Sequence, residues 1–222
     1  MAEARVIAID GPSGAGKGTV ARTLAARLGF RYIDTGAMYR AVAWKARHEG
    51  LNLEDAESVA AVARDAALDL DDGVIIDGRD VTHAIRTPDI DAAAAIVARH
   101  PGVRAALVAR QRQYRTGAGL VMEGRDIGTV VFPSADVKLY LDASPEERAR
   151  RRAVDPAHAT GSDARDVDGV AQALEARDRS DRTRAVSPLT LAPDAVYIDT
   201  TGLSIDEVVA RALAVVNEAM RQ

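Results

Sequence analysis

The chain of 222 residues contains no cysteine, which excludes disulfide bonds and cysteine-ligated metal sites. Its four histidines are scattered, without the spacing of metal ligands. No apolar run approaches the ~18 residues that a membrane-spanning helix needs. The first strand pattern begins too close to residue 1 to leave room for a signal peptide. We therefore expect a cytoplasmic protein without a membrane partner.

Lysine is also scarce, since Lys17, Lys45 and Lys138 are the only lysines among 29 basic residues. The net charge of −4 excludes a strong overall attraction to nucleic acid, so we expect no such partner. Arginine suits bidentate contacts with phosphate, although a compositional bias of the source would explain most of the 26 arginines. The length and the 47% apolar content predict a single domain over residues 1–222 that carries an insertion.

The most informative stretch is a glycine-rich segment between a strand pattern at residues 6–9 and a helix pattern at residues 20–28. It reads Gly11, Pro12, Ser13, Gly14, Ala15, Gly16, Lys17, Gly18, Thr19. Small residues let backbone N–H groups turn toward an anion, and the helix N-terminus adds partial positive charge, so the segment predicts a phosphate-binding loop. Lys17 is predicted to reach the outer phosphates of a bound ligand, and the nearby hydroxyl of Thr19 to reach phosphate or Mg²⁺. Gly18 departs from the general motif, which has Ser or Thr there.

Strand and helix patterns alternate along most of the chain, which together with the phosphate loop predicts an α/β fold: a three-layer P-loop fold with a five-stranded parallel sheet. The predicted strands are residues 5–10, 31–33, 120–122, 137–141 and 195–198. Residues 68–86 alternate and carry two turn signals, which predicts a small hairpin inside an inserted subdomain of about residues 54–100. We expect a short lid at about residues 150–165.

Polar residues follow the predicted strands at the edge of the sheet where ligands of α/β proteins bind. Thr35, Tyr39 and Arg40 follow the second strand, and Glu123 and Asp126 follow the third. Thr35, Tyr39 and Arg40 are candidate substrate contacts, although Thr35 would also suit a helix N-cap and Tyr39 a core position. An apolar strand that ends in an acidic residue is typical of a Walker B element, but that sequence pattern has low specificity.

Arg177, Asp181 and Arg184 are spaced at i, i+4 and i+7, so they project from one helix face. The spacing fits a solvated ion-pair ladder or a substrate clamp and does not decide between them. Arginines also cluster at residues 148–152, and the two clusters flank a short loop, as expected for a kinase lid. The guanine-reading Asn-Lys-x-Asp of GTPases is missing, because the only asparagines are Asn52 and Asn217. A kinase and a non-catalytic nucleotide-binding protein remain.

Four segments together resemble the bacterial cytidylate kinases, a family of nucleoside monophosphate kinases. They are residues 9–19, residues 34–40 (Asp-Thr-Gly-Ala-Met-Tyr-Arg), residues 124–133 (Gly-Arg-Asp-Ile-Gly-Thr-Val-Val-Phe-Pro) and residues 177–188. The resemblance covers nearly the whole chain, and the insertion is similar to the one that enlarges this family's acceptor domain. It implies transfer of a phosphoryl group from ATP, with Mg²⁺, to CMP or dCMP. UMP or AMP is the alternative acceptor.

The resemblance also implies roles for individual residues. The ATP phosphates are held by the loop from Gly11 to Thr19. The phosphate of CMP is contacted by Thr35, Arg40, Arg125 and Arg184. The base is read by Arg104 and Asp126. The sugar is held by Arg177 and Asp181, so the resemblance favours a substrate clamp over an ion-pair ladder on this helix face. The expected catalytic residues are Lys17, Arg125, Arg184 and two lid arginines, Arg148 and Arg152. Mg²⁺ is expected to bind mainly through ATP, with Thr19 as the candidate protein ligand.

Two positions depart from the family pattern. Ala95 stands where many relatives have a serine that contacts the base, so that contact is absent. Glu123 stands where an aspartate is common before Gly-Arg-Asp, which keeps the charge and changes its reach. No coiled-coil heptad is present, and we expect a monomer.

Overall fold

The computed structural model describes residues 4–71, 73–155 and 167–221. In chain order the elements are β1 Arg5–Asp10, α1 Lys17–Leu28, β2 Arg31–Asp34, α2 Thr35–His48, α3 Ala56–Asp65, β3 Leu68–Asp69, β4 Ile75–Ile76, β5 Arg79–Asp80, α4 Pro88–Val97, α5 Pro101–Gln113, β6 Gly119–Glu123, a π-helical turn Ile127–Val131, β7 Val137–Asp142, α6 Pro145–Ala153, α7 Val167–Thr183, β8 Val196–Asp199 and α8 Ile205–Ala219.

The main sheet has the strand order β2-β6-β1-β7-β8, and all its pairs are parallel. β1 lies in the middle, and its residues from Val6 to Ile9 are fully buried, as expected for a central parallel strand. Ile9 pairs with Glu123 and Asp34 also pairs with Glu123, so these carboxyl ends meet at one edge. The predicted five-stranded parallel sheet is confirmed.

Helices cover both faces of this sheet and complete the three layers. On one face α1 and α8 pack on β1 and β7, with Leu24 and Val209 in the core. On the other face Met122 of β6 packs on Ile127 and Phe132, which belong to or follow the π-helical turn. The sequence analysis did not predict this turn.

The insertion between α2 and α5 contains α3, a three-stranded antiparallel sheet in the order β3-β4-β5, and α4. The predicted hairpin is present and a third strand extends it. The second turn uses positive φ angles at Asp77 (48°) and Gly78 (75°), which suit a two-residue hairpin turn. A core that includes Val74, Ile76 and Ile85 packs this sheet on α2. The subdomain limits of about residues 54–100 stay a prediction.

Several element ends differ from the prediction. α1 begins at Lys17 instead of residue 20, so the lysine lies in the first helical turn. Asp34, not Thr35, is the N-cap of α2, because its carboxylate accepts from the Ala37 N–H at 3.0 Å. Most of the predicted lid lies outside the described residues, and residues 150–153 belong to α6. Within the described ranges, no helix combines the length and apolarity required to span a bilayer.

Candidate functional site

The glycine loop and the start of α1 form one end of a cleft. Gly14 and Gly16 adopt left-handed φ angles of 80° and 87°, which L side chains rarely adopt and which turn successive N–H groups to one side. The buried Lys17 donates from Nζ to the Pro12 carbonyl at 2.7 Å. Burial and the nearby Arg125 guanidinium lower the pKa of Lys17 to about 7. The loop therefore holds a cation whose charge an anionic ligand would stabilise.

The position of Glu123 explains why residue 18 is a glycine, where the general phosphate-loop motif has Ser or Thr. A Cβ at Gly18 would lie 2.8 Å from Oε1 of Glu123, so the Glu123 side chain would have to move to accommodate it. The Tyr32 hydroxyl donates to the same oxygen at 2.9 Å and fixes it there. Burial and the neighbouring Asp34 raise the pKa of Glu123. A carboxylate from β6 thus fills the space that the general motif gives to a Ser or Thr side chain.

Arg40 is held at the cleft by Asp34. Its Nη2 donates to Oδ2 of Asp34 at 2.8 Å, and both side chains are largely buried. Burial alone would raise the pKa of Asp34, but Arg40 and the Ala37 N–H outweigh it and lower that pKa. The Thr35 hydroxyl donates to the Glu123 carbonyl at 2.7 Å, which ties α2 to the end of β6.

Arg104 and Asp126 form a buried pair deeper in the acceptor half, where Arg104 donates to Oδ2 of Asp126. The second oxygen, Oδ1, lies 3.8 Å from Nη2 of Arg184. The Arg104 guanidinium also lies 5.5 Å from the centre of the Tyr39 ring, a cation–π distance. Two cations therefore flank the Asp126 carboxylate, and the Tyr39 ring lies beside one of them.

The predicted face of α7 points into the cleft. Oδ2 of Asp181 accepts from Nε of Arg125 at 2.9 Å, and Oδ1 accepts from Nη1 of Arg184 at 3.4 Å. Burial would raise the pKa of Asp181, but Arg125, Arg177 and Arg184 outweigh it and lower that pKa. Nη1 of Arg177 donates to Asp91 of α4 at 3.0 Å. The Arg125–Asp181 and Arg177–Asp91 pairs connect α7 to other parts of the chain, whereas Asp181 and Arg184 are only three residues apart. The first two pairs are unlike a ladder along one solvated helix.

One cleft of about 570 Å³ contains the loop residues Ser13 to Thr19 and every predicted acceptor contact. The acceptor contacts on its wall are Thr35, Arg40, Arg104, Arg125, Asp126, Arg177, Asp181 and Arg184. Eleven Lys or Arg side chains and six Asp or Glu side chains line it, so it is positive although the chain carries −4. Ten of the 26 arginines lie here, more than a compositional bias alone would place at one site.

Three of these arginines keep a buried nitrogen without a hydrogen-bond partner among the described residues. The atoms are Nε of Arg40, Nε of Arg104 and Nη2 of Arg184. Buried donors without a partner are costly, and an anionic or hydrogen-bonding ligand would satisfy them. All three belong to the predicted acceptor half of the cleft.

Three of the predicted site residues do not line the cleft: Gly11, Pro12 and Arg148. Gly11 has a packing role, because a Cβ there would lie 1.9 Å from the Leu141 carbonyl oxygen. The Arg148 guanidinium lies behind the loop, where it pairs with Asp178 and donates to Ser13 O at 3.1 Å. This placement disagrees with the predicted lid role of Arg148. Arg152 does line the cleft and pairs with Asp91.

The sequence analysis missed four aspartates that hold the site together. Asp10 and Asp34 end predicted strands and stand inside the segments that carry the family resemblance, so their position was a usable signal. Asp91 and Asp178 lie on α4 and α7 with no distinctive spacing, and nothing in the sequence marks them. Ala95 lines the cleft, so the missing serine hydroxyl at this position is a difference within the site itself.

Comparisons with known proteins agree with this geometry. The family profile of cytidylate kinase matches residues 7–218. A cytidylate kinase of Solibacter usitatus is 50% identical over 212 residues, covering 95% of this chain and 91% of that protein. A cytidylate kinase of Desulforamulus reducens is 51% identical over 213 residues, covering 94% of this chain and 95% of that protein.

A solved gluconokinase from Sinorhizobium meliloti has a TM-score of 0.52 and 16% identity, and the match covers 100% of this chain and 97% of that one. At this identity the likeness bears on the fold alone, and it agrees with the P-loop kinase architecture. Because the family profile and the two relatives each cover nearly the whole length, this chain belongs to the cytidylate kinase family.

Proposed function

We propose that this protein transfers the γ-phosphoryl group of ATP to CMP or dCMP and releases ADP and CDP or dCDP. The observation that carries the proposal is one cleft in which the loop around Lys17 faces buried arginines. Three of these arginines keep N–H groups that have no hydrogen-bond partner among the described residues. The loop suits the donor triphosphate, and the arginines suit an acceptor that is itself a phosphate.

The transfer needs alignment and charge stabilisation more than proton chemistry. An oxygen of the acceptor phosphate forms a bond to the γ-phosphorus, and the bond from that phosphorus to the β–γ bridging oxygen breaks, leaving its electron pair on ADP. The acceptor phosphate is largely ionised at neutral pH, so it needs no general base. Lys17 would hold the donor, while Arg40, Arg125 and Arg184 would hold the acceptor phosphate and the charge of the transferring group.

Base selection follows from the Arg104–Asp126 pair. The carboxylate of Asp126 can accept a hydrogen bond from the N4 amino group of cytosine. Uracil has an oxygen at that position, and two acceptors facing each other would exclude it. The free Nε–H of Arg104 is a donor for the acceptor edge of cytosine. Arg177 and Asp181 would contact the sugar.

Mg²⁺ would enter with ATP, and the residues around Gly18 fit it. Mg²⁺ in kinases is held by one or two carboxylates together with phosphate oxygens and water. Glu123 supplies a buried carboxylate beside the loop, and Thr19 supplies a hydroxyl on the cleft wall. When bound, the ion would neutralise charge on the β- and γ-phosphates. We also expect a monomer in the cytoplasm, with Arg152 as the remaining lid arginine.

The test is ADP formation from ATP and Mg²⁺ with CMP, dCMP, UMP, AMP and GMP supplied one at a time. We expect ADP with CMP and dCMP, little with the others, and almost none from Lys17→Ala. No acceptor-dependent ADP from a protein that still binds ATP would refute the kinase proposal. Asp126→Ala is expected to lower turnover and to narrow the preference for CMP over UMP. An unchanged preference in this variant would remove Asp126 from base reading.

A further inference from the structure

Two side chains from distant parts of the chain hold the backbone of Ser13 in the glycine loop. Oδ1 of Asp178 accepts from the Ser13 N–H at 3.2 Å. Nη1 of Arg148 donates to the Ser13 carbonyl at 3.1 Å. Both polar backbone groups of this residue thus bind protein side chains, and its N–H is not available to a phosphate.

Arg148 and Asp178 also pair with each other, through Nη1 and Oδ2. They are 6% and 1% exposed, so the pair is shielded from water. Nε of Arg148 donates to the Ala143 carbonyl at 3.1 Å, which anchors the guanidinium at the end of β7. The loop packs directly on this anchor, because a Cβ at Gly14 would lie 3.0 Å from Cβ of Arg148.

Asp178 stands on the helix that carries the acceptor contacts. Its neighbour Arg177 and, one turn on, Asp181 both line the cleft, and Asp181 binds Arg125. The same helix therefore contacts the donor loop through Asp178 and faces the acceptor through Arg177 and Asp181. A shift of α7 relative to the loop would change the separation of the two reacting phosphates.

We propose that Arg148 and Asp178 are positioning residues that fix the glycine loop relative to α7 and hence the donor phosphate relative to the acceptor. Stability alone gives little reason for the pair, because the desolvation cost of a buried ion pair can exceed its Coulomb gain. A glycine-rich loop has little rigidity of its own, and a misplacement of about 1 Å can cost about 100-fold in rate. The inference rests on the proposed function for its kinetic readout.

The main test is the double variant Arg148→Met with Asp178→Leu. It removes both contacts to Ser13 without leaving a buried charge, and such apolar replacements often keep or raise stability. We expect a folded protein with a ten- to hundred-fold lower kcat and a raised KM for ATP. The affinity for CMP, measured by calorimetry without ATP, should stay within about threefold of the starting protein. A folded double variant with kcat and both KM values within about twofold would overturn the proposal.

The matched control is Glu175→Gln with Arg179→Gln. This pair lies on the same helix with an Nη2–Oε1 distance of 2.6 Å, but both side chains are exposed. Removing it should leave kcat and KM unchanged. Comparable losses in the control would mean that any charge removed from α7 impairs the enzyme, which would refute a specific role for the buried pair.

A third variant decides the matter if the double variant does not fold. Arg148→Lys keeps the charge opposite Asp178 but lacks the forked guanidinium that reaches Ser13 and Ala143 together. A lower kcat at an unchanged melting temperature supports positioning, and an unchanged kcat overturns it. If the starting protein proves inactive with every acceptor, the proposed function fails. The ATP dissociation constant of the double variant then tests the loop separately: at least a threefold weakening supports the inference, and no change refutes it.

Discussion

Oδ2 of Asp10 accepts a hydrogen bond from the Gly128 N–H at 2.8 Å, although 118 residues separate the two in sequence. Oδ1 accepts from the Ile127 N–H, also at 2.8 Å. These two N–H groups begin the π-helical turn that directly follows Asp126. Asp10 also directly precedes the glycine loop. One residue at the end of β1 therefore supports the turn that follows the proposed base reader.

The change Asp10→Asn should weaken selection of the base. An amide has one acceptor oxygen, and its NH₂ group would face a backbone N–H, so one of the two bonds is lost. We expect the KM for CMP to rise about tenfold, the loss of about 1.4 kcal/mol of binding. The preference for CMP over UMP should narrow, as measured by steady-state kinetics with both acceptors.

A matched control exists at the other end of the same strand. Oδ2 of Asp136 accepts from the Val6 N–H at 2.7 Å, far from the carboxyl edge of the sheet. Asp136→Asn should lower stability without changing the preference between acceptors. Equal changes of preference in the two variants would contradict a specific link between Asp10 and Asp126.

Asp10 should also contribute to the pH dependence of the free energy of unfolding. Burial raises its pKa to about 6, whereas the unfolded carboxyl has a pKa of about 3.9. Between these pH values the native state holds a proton that the unfolded state releases. The contribution of Asp10 to the free energy of unfolding therefore falls as pH rises from about 4 to about 6 and is constant above about pH 6. Two pKa units correspond to about 3 kcal/mol.

Urea unfolding of the starting protein and of Asp10→Asn at several pH values tests this contribution. The asparagine side chain at this position of the variant does not titrate. The free energy of unfolding of the variant minus that of the starting protein should therefore increase by up to about 3 kcal/mol as pH rises from about 4 to about 6. A difference between the two proteins that does not change with pH would contradict the assignment.

Lys17 should take up a proton when ATP binds. Its pKa is lowered to about 7 by burial and by Arg125, and the phosphates of ATP would favour the charged form. At about pH 8, where the triphosphate is already ionised, we expect close to one proton bound per ATP. Calorimetry in buffers of different ionisation enthalpy measures this number. In the Lys17→Arg variant the arginine side chain stays protonated in this pH range, so no proton should be taken up when ATP binds. Equal proton uptake by both proteins would exclude Lys17 as the group that is protonated.

Restoring the general loop motif with Gly18→Ser should damage this protein. The new Cβ would lie 2.8 Å from Oε1 of Glu123, an atom that the Tyr32 hydroxyl holds in place. We expect a melting temperature lower by several degrees, equivalent to about 1–3 kcal/mol of overpacking. Adding Glu123→Ala should relieve the clash and recover most of this loss, as seen in a thermal double-mutant cycle. Additive losses in the double variant would show that the two positions do not compete for space.

Some of the site could be predicted because its signals are local. The apolar run of β1, the glycine spacing of the loop and the strand-end position of Arg125 and Asp126 follow from backbone periodicity and steric freedom. The π-helical turn could not be predicted in this way. Its N–H groups bond to Asp10, and its apolar residues Ile127 and Val131 pack in the core beside β6, so packing across the sheet shapes it.

The different partners of Arg148 and Arg152 could not be predicted from the sequence. They are four residues apart on α6 and should share a helix face. However, Arg148 binds Asp178 and Ser13 behind the loop, whereas Arg152 lines the cleft and pairs with Asp91. A flexible arginine side chain is long enough to reach partners in either direction, and its partners are fixed by how α4 and α7 pack.

The sequence by itself determined the phosphate-binding loop, the parallel sheet and the family, because each depends on short spacings or on long runs of matched residues. Only the tertiary structure decided which arginines line the cleft and which support it from behind. Ser13 and Asp178 lie 165 residues apart and meet only in the folded chain, where α6 packs on α7 and Arg148 of α6 binds the Ser13 carbonyl. The burial and charge pairing that assign such roles are properties of the folded chain and leave no periodic pattern in the sequence.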